Sequence, residues 1–336
     1  MIQARKEDVK QLYERFPFPY GIEESRPDMN FANLVQLLFP DDDLEDQLVL
    51  DAGCGTGHKL IALARIFPET RFVGMDFCEA SLRVARRLAQ ENKVQNVELR
   101  RADLGATSLA PEFDLILSIG VVHSMENPQK ALDILCSGLA DDGILLLWLY
   151  HSLGEFDRLN QRELVRLLWG EDRNDMAKGL ALMQDLGLGL KPGHYGSKDW
   201  VSGVLEGNTD AFLNPIVYAY RLLEALDMCA HAGCTWGTVD MLNLPGKGKF
   251  VNLAGIDDPL VGDMSLGVAD LFEAQSLREA YGRLSKRERL RAIELVLKPT
   301  GFFILAGKGQ AQYRLSERLR GNLIELASDR NPSGVS

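Results

Sequence analysis

Long apolar runs are missing from this chain. The longest, GILLLWLY at Gly143 to Tyr150, has eight residues, whereas a helix needs about 20 to cross a bilayer. The N-terminal MIQARKEDVKQLYERF is charged throughout and has no apolar core of the signal-peptide kind. A cytoplasmic protein with no membrane partner is expected. Positive charge is also in deficit: 37 Lys and Arg against 48 Asp and Glu leave a formal net charge of -11. That sign disfavours a phosphate backbone, so nucleic acid is not expected as a partner. Cysteine is sparse and scattered. Five residues, Cys54, Cys78, Cys136, Cys229 and Cys234, indicate neither a disulfide framework nor a zinc cluster, and free thiols and no metal are expected. No internal repeat and no low-complexity tract is visible.

What is present is a rhythm. From residue 47 to residue 150 short aliphatic runs alternate with longer helical patterns, which favours a parallel sheet covered by helices. QLVLDAG, TRFVGMD, NVELRRAD, EFDLILSIG and DGILLLWLY read as strands; HKLIALARIFP, CEASLRVARRLAQEN and NPQKALDILCSGLA read as helices. The rhythm breaks over 151–214, where a charged helical segment leads into the glycine-dense LGLGLKPGHYGSKDWVSG, an insertion expected to cap a substrate. PIVYAYRLLEALDMCAHAG then reads as a helix and CTWGTVDML as a strand, so 215–251 would end the core sheet. Residues 252–336 read as a C-terminal extension with the helical SLREAYGRLSKRERLRAIELVL, an apolar GFFILAG that could form a terminal strand, and a disordered tail. Residues 1–46 would form an N-terminal helical lid or cap.

DAGCGTG places Asp51, Gly53, Gly55 and Gly57 between a strand and a helix, where glycine lets the backbone turn tightly and approach a ligand. A dinucleotide fingerprint begun at Gly53 needs glycine at position 58, and that residue is His58. The spacing suits a nucleoside without a pyrophosphate better. Asp76 closes the second strand, where a carboxylate can accept both ribose hydroxyls. Asp103 closes the third, and its carboxylate or the Leu104 amide could meet an adenine. SIGVVH, from Ser118 to His123, ends the next strand at the edge where open sheets bind ligands. Each carboxylate could instead be a helix cap, and the glycines a packing solution.

Two segments, VLDAGCGTGHKLIALARIFPETRFVGMDFCEASLRVARRLAQENKVQNVELRRADL and EFDLILSIGVVHSMENPQKALDILCSGLADDGILLLWLY, resemble the class I S-adenosylmethionine-dependent methyltransferases over about a hundred residues. The likeness extends to bacterial members with segments similar to GVVHSMENP and YERFPFPYG. It implies a doubly wound, Rossmann-like sheet of seven strands with a helical insertion and a C-terminal extension. It also implies S-adenosyl-L-methionine as cofactor and S-adenosyl-L-homocysteine as product. By the same resemblance Asp51, Gly53 and Gly55 would surround the amino-acid part of the cofactor, Asp76 would hold its ribose, Asp103 its adenine, and Phe77 and Leu104 would sandwich the ring. Ser118 is included in the cofactor set. Many relatives have two adjacent histidines where this chain has His123 and Ser124, which argues against a two-histidine mechanism.

Methyl transfer from a sulfonium needs positioning first and a base only if the acceptor must lose a proton. His123 is the candidate base, with a simple loop hydrogen bond as its alternative. Tyr150, His151, His194, Tyr195, Asp210 and Tyr218 are candidate substrate contacts, polar groups among apolar ones; for each, packing or capping is the competing account. YERFPFPYG, Tyr13 to Gly21, is stiffened by two prolines and would fold back over the carboxyl edge of the sheet. There Tyr13 and Tyr20 would take part in catalysis by excluding water and facing the sulfonium. The alternative is a clasp on the outside of a helix. The expected activity is methylation of a nitrogen or oxygen on a small molecule; alternatives are a protein methyltransferase of the lysine type and a non-catalytic sensor or assembly subunit that binds the same cofactor.

Overall fold

A computed structural model describes residues 2–18, 26–39, 44–170, 175–189 and 204–326. Two helices, α1 (Ile2–Arg15) and α2 (Met29–Leu38), precede the sheet. Then come β1 (Leu48–Ala52), α3 (His58–Ile66), β2 (Arg71–Asp76), α4 (Glu79–Glu91), β3 (Val97–Arg101), β4 (Phe113–Ile119), α5 (Pro128–Gly138) and β5 (Leu139–Tyr150). The expected alternation of strands and helices from 47 to 150 is thus present. Local chemistry sets several boundaries. Asn127 caps α5 by accepting from the Lys130 amide, with Pro128 at the first helical position, and Pro68 follows the end of α3.

The next elements are α6 (Phe156–Trp169), α7 (Met176–Asp185), α8 (Val204–Asn208) and a π-helical turn at Thr209–Leu213. After them stand α9 (Leu222–His231), β6 (Trp236–Leu244), β7 (Lys247–Phe250), α10 (Gln275–Gly282), α11 (Lys286–Leu297), β8 (Gly301–Gly307), α12 (Glu317–Asn322) and β9 (Ile324–Glu325). The strand order is β3-β2-β1-β4-β5-β8-β6-β7, with β9 on β6. From β3 to β5 all pairings are parallel, and β8 runs antiparallel to both neighbours, β5 and β6. Apolar clusters lie in two layers, one including Leu50, Leu145 and Ile304 and the other Val49, Leu146 and Leu305, as alternation of side chains along a strand requires.

Several expectations are corrected or sharpened here. The sheet has nine strands among the described residues, not seven. Pro245 and Gly246, the latter at φ +75°, turn the chain back so that β7 extends β6, and β9 adds a two-residue edge. Second, GFFILAG forms a strand, as expected, and that strand lies in the interior of the sheet. Gly301 and Gly307 lie against the rings of Trp148 and Trp236, where a Cβ would come within 2.5 and 2.4 Å, so β8 slots between β5 and β6. Third, PIVYAY is not helical. Tyr218 and Tyr220 donate backbone hydrogen bonds to His123 O and Tyr150 O, and the helix starts only at Leu222, where Glu224 accepts from the Arg221 amide. The long helical pattern near the C-terminus is two helices, the second begun by a Ser285–Glu288 capping box.

All five cysteines are free and buried, and no helix among the described residues is long and apolar enough to cross a membrane.

Candidate functional site

Strand order reverses beside β1: β2 and β3 lie on one side of it, β4 and β5 on the other. Ligand crevices form at such switch points, beyond the carboxyl ends of the strands. Here that place holds a cavity of 380 Å³. Its floor is the turn after β1, where Gly53, Gly55 and Gly57 take φ of +88°, +53° and +78°. Gly53 is required twice over, since a Cβ would also come within 2.3 Å of the Val121 side chain.

Two buried carboxylates line this floor. Asp76 accepts from the Gly55 amide at 2.9 Å and the Cys78 amide at 2.8 Å. Burial outweighs those bonds and raises its pKa to about 6. Burial also raises Asp51 to about 7, helped by the neighbouring Asp76 charge and opposed by Lys59. Asp103, Phe77 and Leu104 complete one end of the cavity; Asp103 accepts from the Gly105 amide at 3.0 Å and is ion-paired with Lys6.

Helix α1 forms the opposite wall, with Lys6, Val9 and Tyr13 on one face. Docking is polar as well as apolar. The Glu14 carboxylate accepts from the Glu79 and Ala80 amides at 3.0 and 3.3 Å, capping α4, whose own N-cap residue, Cys78, makes no side-chain cap bond. The Lys6 amide donates to Glu126 at 3.0 Å, and Thr56 N donates to Phe18 O at 3.1 Å. Tyr13 meets Phe77 edge to face, with ring centroids 6.4 Å apart.

Behind Tyr13 lies the π-helical turn. Tyr13 Oη donates to Asp210 Oδ1 at 2.6 Å and accepts from Asn214 Nδ2 at 3.0 Å. Burial first, then the Asp210 carboxylate, keeps the phenol pKa well above its ordinary value, so Tyr13 is neutral. Two buried arginines of α6 support this turn from outside. Arg158 donates to Ala211 O at 2.5 Å and pairs with Glu155, and Arg162 donates to Asn214 O. Desolvation and the nearby Arg166 and Arg158 charges lower Arg162 to about 9.

Of the sequence-predicted residues, Asp51, Gly53, Gly55, Asp76, Phe77, Asp103, Leu104 and Tyr13 line one cavity, with Asp210 directly behind Tyr13. Others are elsewhere. Ser118 is buried in the sheet and donates to Ala52 O at 3.3 Å, away from the cavity wall. His123 is buried between Trp148 and Tyr150, with ring centroids 5.7 and 4.4 Å away, and does not line the cavity. Burial and the Arg158 and Arg162 charges lower its pKa to about 3, which makes it a poor proton acceptor. Tyr150 is packed against His123 under the Arg158 guanidinium. His151 is wholly buried and bonded to Glu294 at 3.0 Å, with Arg221 on the other carboxylate oxygen. It ties β5 to α11. Tyr218 is 42% exposed and faces a shallower cleft beside α6. Tyr20, His194 and Tyr195 lie outside the described residues.

Sequence reasoning missed Lys6, Glu14, Arg158 and Arg162. The spacing of Lys6, Val9 and Tyr13, one face of a helix over two turns, was the available signal for α1; the arginines are spaced four apart on α6 but need the fold to reveal what they support.

Residues 44–177 match the methyltransferase-domain family. An uncharacterised protein of Synechococcus is 34% identical over 140 residues, 41% of this chain and 34% of that protein. The malonyl-[acyl-carrier protein] O-methyltransferase of Bacillus cereus is 32% identical over 98 residues, 29% of this chain and 35% of the enzyme. The matches thus span about a third of the length of these curated relatives. Among solved structures, PKMT2 from Rickettsia typhi in complex with AdoHcy superimposes with a TM-score of 0.54 at 14% identity, covering 88% of this chain and 55% of that one. The matched segment is thus similar to a methyltransferase domain, and the chain shares the Rossmann-like fold of that solved structure.

The cavity fits S-adenosylmethionine, the cofactor that the sequence resemblance implies. Two buried carboxylates with raised pKa values face a space where a cation would relieve them, and the glycine turn leaves backbone room for an amino-acid tail.

Proposed function

We propose that the chain binds S-adenosylmethionine in the switch-point cavity and transfers its methyl group to a nitrogen or oxygen of a small molecule. The observation that carries this reading is the convergence of a left-handed glycine turn and the buried acids Asp51 and Asp76 on one cavity walled by α1.

Asp76 would hold the ribose hydroxyls, Asp103 the adenine amine, and Phe77 and Leu104 the faces of the ring. Asp51 and the amides around Gly53 and Gly55 would hold the amino-acid part. When bound, the cofactor supplies an electrophilic methyl on a positively charged sulfur. The residues of the chain then have to orient the acceptor and exclude water, and such positioning is worth up to about 7–11 kcal/mol of a barrier. Val9, Tyr13 and Phe18, contributed by the N-terminal segment over the cavity, support the lid reading of that segment. They also favour a compact acceptor over a folded protein surface.

Incubation with methyl-labelled S-adenosylmethionine and separated small-molecule and macromolecular fractions of a cell extract tests the reading. Label is expected in the small-molecule fraction; label confined to macromolecules contradicts the acceptor class.

A further inference from the structure

The hydrogen positions around Tyr13 are fixed by a chain of necessity. The Ile216 amide can only donate, and it does so to Asn214 Oδ1 at 3.1 Å. Asn214 therefore presents its amide nitrogen, with two hydrogens, to Tyr13 Oη and Asp210 Oδ1, each 3.0 Å away. Since Tyr13 Oη accepts there, its own hydrogen goes to Asp210 Oδ1 at 2.6 Å. A phenol oxygen has two acceptor sites and one donor. With the donor committed and one acceptor site taken, Tyr13 Oη keeps a single lone pair and no free hydrogen, and the Tyr13 side chain lines the cavity.

We propose that Tyr13 is the catalytic residue that meets the acceptor atom, and that Asp210, locked by Asn214, is a positioning residue keeping the phenol hydrogen turned away from the cavity. The site then selects an acceptor that carries a hydrogen, an alcohol, phenol or N–H amine. A bare carboxylate or a tertiary amine has no hydrogen for that oxygen. As the acceptor atom bonds to the methyl carbon, the carbon–sulfur pair stays on sulfur. The acceptor's proton passes to Tyr13 Oη while the Tyr13 hydrogen passes to Asp210 Oδ1. This assignment rests on the cofactor reading above and replaces His123 as the route for the proton.

The test needs no identified acceptor. Sinefungin carries an ammonium-bearing carbon where the cofactor has its methylated sulfur, and so offers N–H donors at that place; S-adenosylhomocysteine offers none. In calorimetric titrations Tyr13→Phe is expected to weaken sinefungin about tenfold and S-adenosylhomocysteine less than about twofold, as loss of one hydrogen bond to a charged group predicts. Asp210→Asn, whose amide can donate to Tyr13 and turn the phenol hydrogen into the cavity, is expected to show the same selective loss. A purely structural role would weaken both ligands alike. Equal losses for both ligands, or unchanged sinefungin affinity in Tyr13→Phe, overturn the assignment. If Asp210→Asn does not fold, Tyr13→Phe, which keeps the ring, decides alone. Failure of S-adenosylhomocysteine to bind the unmodified protein overturns the cofactor reading, and this assignment with it.

Discussion

Asp51 and Asp76 are two carboxylates that burial holds partly against ionisation, and their titration gives a prediction with a definite sign. Both folded pKa values, about 7 and about 6, lie above the ordinary 3.8. Between about pH 4 and pH 7 the folded protein therefore binds more protons than the unfolded chain, and the stability they contribute falls as pH rises through that window. Asp51→Asn is expected to flatten part of that slope in melting temperatures taken across it; an unchanged slope contradicts the burial argument. A bound cation favours the ionised forms, so affinity for S-adenosylmethionine should be higher near pH 8 than near pH 5.5. At Gly53, the φ of +88° and the Val121 contact predict that Gly53→Ala costs about 1–3 kcal/mol in denaturant unfolding. A cost near zero would mean that the turn relaxes freely.

At the scale of elements, α1 closes the cavity through the Glu14 cap on α4, the Lys6–Asp103 pair and the Tyr13–Asp210 bond. Deleting residues 1 to 21 is expected to raise the S-adenosylhomocysteine dissociation constant at least about tenfold, since several contacts to charged groups vanish together. A lower melting temperature with unchanged affinity would make the segment a clasp. Legibility in the sequence followed locality. The strands and helices of 47–150 were readable because each carries its own period and punctuation: Pro68 after α3, Asn127 and Pro128 at α5, the glycine turn after β1. The interior place of β8 was not readable, because it depends on the rings of Trp148 and Trp236 finding Gly301 and Gly307 across the sheet. PIVYAY departs from its local helical pattern for the same reason: its backbone bonds go to His123 and Tyr150, about 70–95 residues away in sequence. In the site, Asp51, Asp76 and Asp103 followed from strand ends, whereas the burial of His123 under two arginines of α6 required the folded chain.

For the whole molecule, the excess of acidic residues and the cavity between sheet and α1 suit a cationic small ligand better than a polyanion. The central claim is that this cavity takes the S-adenosyl nucleoside with Asp76 on its ribose. Calorimetric titration of the full chain with S-adenosylhomocysteine, repeated on Asp76→Asn with folding checked by melting temperature, tests it most directly. Stoichiometric binding weakened about tenfold or more by the substitution is the predicted result, the loss of hydrogen bonds to a charged group. No heat and no thermal shift in the unmodified protein, or full affinity in the folded Asp76→Asn variant, would contradict it.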